Sequence, residues 1–102
     1  MTVTRIGVGG TSAPYDVVVG HGVLAELPAL VGERAQRVAV VHPDGLDALA
    51  QPVCKVLRSA GYEVHPLAVP DGEAAKDVSV AARLWAELGR AAFTRTDAVV
   101  GV

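Results

Sequence analysis

A chain of 102 residues with a formal charge of −2 suits one modest domain, one that buries roughly two thirds of its unfolded surface on folding. Its nine Lys and Arg are dispersed along the sequence, leaving no basic excess to neutralise a phosphate backbone, which argues against nucleic acid as a partner. No apolar stretch nears the roughly 20 residues that span a bilayer, and the opening MTVTRIGVGG lacks the charged start and apolar middle of a signal peptide, so the expectation is a cytoplasmic chain with no membrane partner.

The chain is 51% hydrophobic but only 4% aromatic, so small aliphatic side chains must build the core, which points to α/β layers. Cys54 is the only cysteine and excludes an intrachain disulfide. It lies in a helical pattern beside no histidine or acid partner and reads as a core thiol.

In chain order, TVTRIGV and YDVVVG are β-type runs separated by the turn formers GGTSAP, a hairpin pattern over about residues 1–20. In HGVLAELPALVGE the apolar residues recur at helical spacing, predicting a short helix that ends near Gly32, with Pro28 tolerated in its first turn. RVAVVH, from Arg37, is a continuous apolar run of the kind covered on both faces. Leu46, Leu49, Val53, Val56 and Leu57 then repeat at intervals of three and four, and Gly61 is a plausible stop. Pro52 falls inside that pattern, so a start near Gln51 or a kink is expected.

YEVHPLAVP is a second strand, placed at an edge or made irregular by Pro66. VSVAARLWAELGRAA predicts a helix whose stripe runs through Val78, Ala81 or Ala82, Trp85 and Leu88 or Gly89, with Trp85 as a core anchor. DAVVGV is a third buried-strand pattern. Strand, helix, strand, helix, strand after residue 36 implies a Rossmann-like parallel sheet with right-handed crossovers, an α/β unit of about residues 37–102 joined to the N-terminal hairpin in one domain of residues 1–102.

Ligands collect outside the carboxyl ends of parallel strands, and two loops qualify: HPDG at 42–45 and PDGEAAK at 70–76. The dinucleotide fingerprint G-x-G-x-x-G is absent from the first. In the second, Asp71 and Glu73 can accept from ribose hydroxyls, Gly72 lets a ligand approach the backbone, and Lys76 can reach a phosphate or pair with Glu73. The same residues also fit a plain turn at Pro70-Asp71-Gly72, a helix cap by Asp71 or Asp77, and an exposed ion pair. The pattern alone favours the turn.

Arg95 and Asp97 read as shaping the start of the last strand, and Arg5, Arg34 and Arg37 as surface charges. His21, His42 and His65 are far apart and show no metal-ligand spacing, so none is expected to hold a metal, and no catalytic residue is assigned.

VPDGEAAK after AGYEVHPLA, with VVVGHGVL and VAVVHPD before it and FTRTDAVVGV after it, resembles the N-terminal NAD-binding domain of 3-dehydroquinate synthase, with actinobacterial features, over the whole chain in order. The resemblance implies a shikimate-pathway lyase that converts 3-deoxy-arabino-heptulosonate 7-phosphate to 3-dehydroquinate and phosphate, with NAD and a divalent metal, zinc or cobalt, in a homodimer. It places Asp71, Gly72, Glu73 and Lys76 at the NAD site. The preceding loop, His42-Pro43-Asp44-Gly45, departs from the Thr, Asn or Asp common in the family, but Asp44 keeps an acceptor for a ribose hydroxyl. The family's glycine-rich turn and its helical domain, with a metal on a glutamate and two histidines, would follow Val102, so these residues alone are expected to be inactive. Three alternatives stand beside this reading: a related sugar-phosphate cyclase, the NAD domain of a glycerol-type alcohol dehydrogenase, and a non-catalytic α/β binding module.

Overall fold

β-branched and aromatic residues at both ends of the chain's first twenty positions favour extended backbone, and in the computed structural model, which describes residues 3–10 and 12–102, they form the expected hairpin. Strands β1 (Thr4–Val8) and β2 (Tyr15–Val19) pair antiparallel with Ile6 opposite Val17 and Val8 opposite Tyr15. Thr2, at the head of the expected first strand, and Thr11, in the expected turn, lie outside the described residues. An ion pair between Arg5 and Glu26 ties the hairpin to the segment that follows.

That segment is a 3-10 turn, Val23–Glu26, running directly into α1 (Leu27–Val31). Pro28 sits in the first turn of α1, where a missing N–H costs no helical bond, and the helix stops at Gly32 with φ 86°. The Tyr62 hydroxyl lies 3.1 Å from the Pro28 carbonyl and 2.7 Å from that of Gly32, tying the end of α1 to the start of β4.

The rest is a three-stranded parallel sheet in the order β4-β3-β5. The central strand is β3 (Arg37–Pro43), flanked by β4 (Glu63–Val69) and β5 (Ala98–Gly101), in register Val40 opposite Pro66 on one side and Val100 on the other. Val38, Ala39 and Val40 are fully buried, which is why the β3 run is continuously apolar. Pro66 does not interrupt β4. The strand is at the sheet edge, where a proline is tolerated.

Helix α2 (Asp47–Ser59) joins β3 to β4, and α3 (Val78–Arg90) joins β4 to β5. Because β4 and β5 lie on opposite sides of β3, crossovers of one hand put the two helices on opposite faces of the sheet. On the α2 face, Ala50, Val53, Cys54 and Leu57 pack with Val38 and Val40 into the core, bordered by Val64, Ala98 and Val100. Cys54 is thus a core thiol.

Two expectations need correction. Helix α2 starts at Asp47, not near Gln51, and passes through Pro52. The ring lies on the exposed side, while the buried stripe on the other side holds both halves of the helix on the sheet. In α3 the covered stripe runs through Val80, Leu84 and Leu88, not through Val78 and Trp85. Trp85 is 68% exposed and is no core anchor. The helix is apolar on two faces, so a period of 3.6 fits either one.

Asp97 binds the start of β3 to the start of β5. Its Oδ1 accepts from the backbone N–H groups of Gln36 (3.0 Å) and Arg37 (2.9 Å), and its Oδ2 accepts from Thr94 N–H (2.9 Å) and the Thr94 hydroxyl (3.3 Å). These bonds, Arg37 N–H first, hold its carboxyl at about 2, below the ordinary 3.8. A depressed value means that the contribution is complete above the ordinary value and is lost as pH falls through the folded one. The unfolding midpoint is therefore expected to drop between about pH 4 and pH 2. Asp97→Asn, which cannot accept at all these positions, should lower the neutral-pH midpoint by roughly 5 °C and flatten the acid decline. Thermal unfolding across pH checks this, and an unchanged acid decline in the variant would contradict it.

Candidate cofactor site at the carboxyl end of the sheet

The strand order reverses at β3, with β4 on one side and β5 on the other, and open α/β sheets bind ligands at such a switch point. The loops after β3 and β4 meet there: the Asp44 N–H donates to the Val69 carbonyl at 2.7 Å, stitching the first loop to the end of β4. On the other side, Val102 N–H donates to the Val41 carbonyl at 2.9 Å.

A recess of about 480 Å³ opens between the ends of β3 and β4 and the start of α3, lined by Asp44, Ala68, Pro70, Ser79, Val80 and Arg83. It gathers a carboxylate, a hydroxyl and a guanidinium over an apolar floor, the mixture that orients a polar ligand. A larger groove, about 580 Å³, runs from Asp44 along α2 past His42, Cys54, Lys55 and Arg58. Most of its length lies beside the helix and away from the strand ends, so the smaller recess is the better candidate.

The PDGEAAK loop leaves this recess at Pro70. Asp71 is extended (φ −73°, ψ 149°), and a 3-10 turn follows over Gly72–Lys76. Gly72 has φ 65°, a conformation that favours glycine, and nothing lies within 4 Å of where a Cβ would stand. Lys76 Nζ lies 3.1 Å from Glu73 Oε1, and the two side chains are 75% and 88% exposed. Asp77, not Asp71, caps α3, accepting from Ser79 N–H at 3.0 Å.

The turn, the cap and the exposed ion pair of the plain reading are therefore all present. The fold brings Asp44 onto the recess, whereas Asp71, Gly72, Glu73 and Lys76, in the segment after Pro70, do not line it. Sequence reasoning missed Ser79 and Arg83. They are four residues apart at the start of a helix, a spacing that puts both on one side, but the apolar stripe drew attention to the other residues of α3.

The remaining histidines have structural surroundings. His42 is 7% exposed, with Nδ1 3.1 Å from the Pro43 carbonyl and 3.7 Å from Asp47 Oδ1. His65 Nε2 lies 2.8 Å from Glu63 Oε2 and meets Phe93 edge-on at 5.3 Å. The His65 contact, ahead of the nearby Arg37, draws the Glu63 carboxyl below its usual range. Arg37 Nε is 3.0 Å from Glu63 Oε2 but lacks the angle of a hydrogen bond. Among the described residues no three His, Cys, Asp or Glu side chains cluster as a metal site, and no helix is long and apolar enough to cross a membrane.

In fold, the chain matches a crystal structure of 2-deoxy-scyllo-inosose synthase with a TM-score of 0.80 at 16% identity, covering 94% of this chain and 28% of that one. A crystal structure of 2-deoxy-scyllo-inosose synthase complexed with carbaglucose-6-phosphate, NAD+ and Co2+ matches with a TM-score of 0.78 at 17% identity, over 94% of this chain and 26% of that one. Over the aligned residues the fold of this chain is the one seen in these two crystal structures.

In sequence, the chain is 79% identical over all 102 residues to 3-dehydroquinate synthase of Thermobifida fusca, of which it covers 28%. It is 50% identical to 3-dehydroquinate synthase of Streptomyces avermitilis, with 98% of this chain and 28% of that protein aligned. No family model matches the chain. It spans 28% of the length of these relatives and is similar throughout to the N-terminal part of 3-dehydroquinate synthases.

Proposed function

We propose that the chain is the N-terminal, NAD-binding part of a 3-dehydroquinate synthase, a lyase that converts 3-deoxy-arabino-heptulosonate 7-phosphate to 3-dehydroquinate and phosphate. The observation that carries this reading is the 79% identity across the whole chain. The exposed PDGEAAK loop, which leaves an Asp44 recess at the carboxyl end of β4, supports it.

The residues present fit a dinucleotide. No hydrogen bond engages the Asp44 side chain among the described residues, so it is free to accept from a ribose hydroxyl. Gly72 leaves its backbone open to close approach, and Asp71 and Glu73 add acceptors beside a Lys76 ammonium. Held there, NAD would supply reversible hydride transfer, with no net redox change over the cycle. Asp44, Asp71, Gly72, Glu73 and Lys76 would hold that cofactor, the carboxylates through ribose hydroxyls and Lys76 through phosphate. The chain contributes no proton transfer to the sugar phosphate and no ligand to the zinc or cobalt ion, which belong to the remainder of the enzyme. That enzyme is a cytoplasmic homodimer, as its family resemblance implies.

A related sugar-phosphate cyclase is the second reading, supported by the fold matches. The 16% identity there against 79% here favours the first. Protein made from the complete reading frame, supplied with NAD and cobalt or zinc, is expected to release inorganic phosphate from the heptulosonate 7-phosphate, and residues 1–102 alone to release none. Absence of phosphate release by the complete protein, or turnover by the fragment, would contradict the proposal.

A further inference from the structure

We infer that Arg83 is a positioning residue of the cofactor recess, holding the exit of β4 against α3 so that residues 70–76 keep their place beside Asp44; this rests on the NAD reading above. Arg83 Nη2 donates to the Ala68 carbonyl at 2.5 Å. Ala68 is the penultimate residue of β4, and the next carbonyl, that of Val69, accepts from Asp44 N–H at 2.7 Å. Successive carbonyls of a strand point to opposite sides. Since the Val69 carbonyl faces inward to the β3 loop, that of Ala68 faces the other edge, where among the described residues no further strand pairs with β4. The guanidinium therefore meets this outward carbonyl at the last point before PDGEAAK begins.

The use of Arg83 is unlike that of four of the other eight Lys and Arg side chains. Arg5, Arg37, Lys76 and Arg90 each meet a carboxylate, whereas Arg83, among the described residues, meets a backbone carbonyl and has no ion pair. It also lines the recess together with Asp44 and Ser79. The planar fork carries five N–H donors, so the bond to Ala68 leaves others for the recess. Loss of this tie would let the β4 exit and the loop beyond it drift away from Asp44, with little effect on the core on the other face of the sheet.

The test compares Arg83→Met and Arg83→Lys in protein made from the complete reading frame, with NAD affinity read by calorimetry and steady-state rates read by phosphate release. Arg83→Met is expected to weaken NAD binding roughly tenfold, the scale of one charge-assisted hydrogen bond. At saturating NAD, kcat should stay within about twofold and the KM for the sugar phosphate should not change. Arg83→Lys, which keeps a donor for Ala68, should restore most of the affinity. Arg83→Gln provides the same comparison if the Met variant is too unstable to titrate. NAD affinity unchanged in Arg83→Met, or kcat lost with affinity intact, would overturn the inference while leaving the NAD reading standing. Failure of the unsubstituted protein to bind NAD would overturn both.

Discussion

Leu57→Ala is expected to lower the stability of this chain by about 3 kcal/mol, the middle of the range for emptying a fully buried leucine site. Leu57 is the largest of the fully buried side chains and sits where α2 meets Val38 and Val40 of the central strand. The other buried residues of its core are Ala, Val and Cys, too small to move into the space left behind. The backbone cannot relax freely either, because the Leu57 carbonyl accepts from both Ala60 N–H (3.1 Å) and Tyr62 N–H (3.2 Å) as the chain turns into β4. Since a domain of this size has a stability of only about 5–15 kcal/mol, the loss should be plain in urea denaturation. Trp85→Ala, at a position 68% exposed, should cost far less. A Leu57→Ala cost below that of Trp85→Ala would contradict the packing described.

The order of elements was legible because each rests on local chemistry. A continuous apolar run marks the covered β3, Gly32 marks the end of α1, and turn formers separate the hairpin strands. What stayed hidden depended on tertiary packing. Pro52 argues against a helix on local grounds, but the stripe from Ala50 to Leu57 holds α2 to the sheet and overrides it. In α3, Val80, Leu84 and Leu88 compete with Val78, Ala82 and Trp85 at equal period, and only the sheet decides which stripe is covered. Asp97 was legible as shaping the start of β5, while its bonds to Gln36 and Arg37, sixty residues away, were not.

The candidate site divides in the same way. That loops follow β3 and β4, with Asp44 on the recess between them, was legible because strand ends and glycine turns announce themselves in sequence. Arg83 was not, since its partner is a backbone carbonyl on another element, which no sequence pattern encodes.

The second large effect concerns the loop. The Glu73–Lys76 pair is almost wholly exposed, and such pairs contribute roughly 0–1 kcal/mol to stability. The fold therefore does not need these two side chains, and replacing both by alanine should leave the unfolding midpoint within about 2 °C of the original. If they contact NAD, the same double change removes an acceptor for ribose hydroxyls and a cation within reach of phosphate, each worth about a tenfold change when engaged by a charged group. A large loss of affinity without loss of stability is thus the signature of a binding role, and no loss of either is the signature of a plain turn.

The measurement is a calorimetric titration of NAD into protein made from the complete reading frame, with and without Glu73→Ala and Lys76→Ala together. The account predicts NAD affinity at least about tenfold weaker in the double variant at an unchanged unfolding midpoint; equal affinity in the two proteins would contradict it.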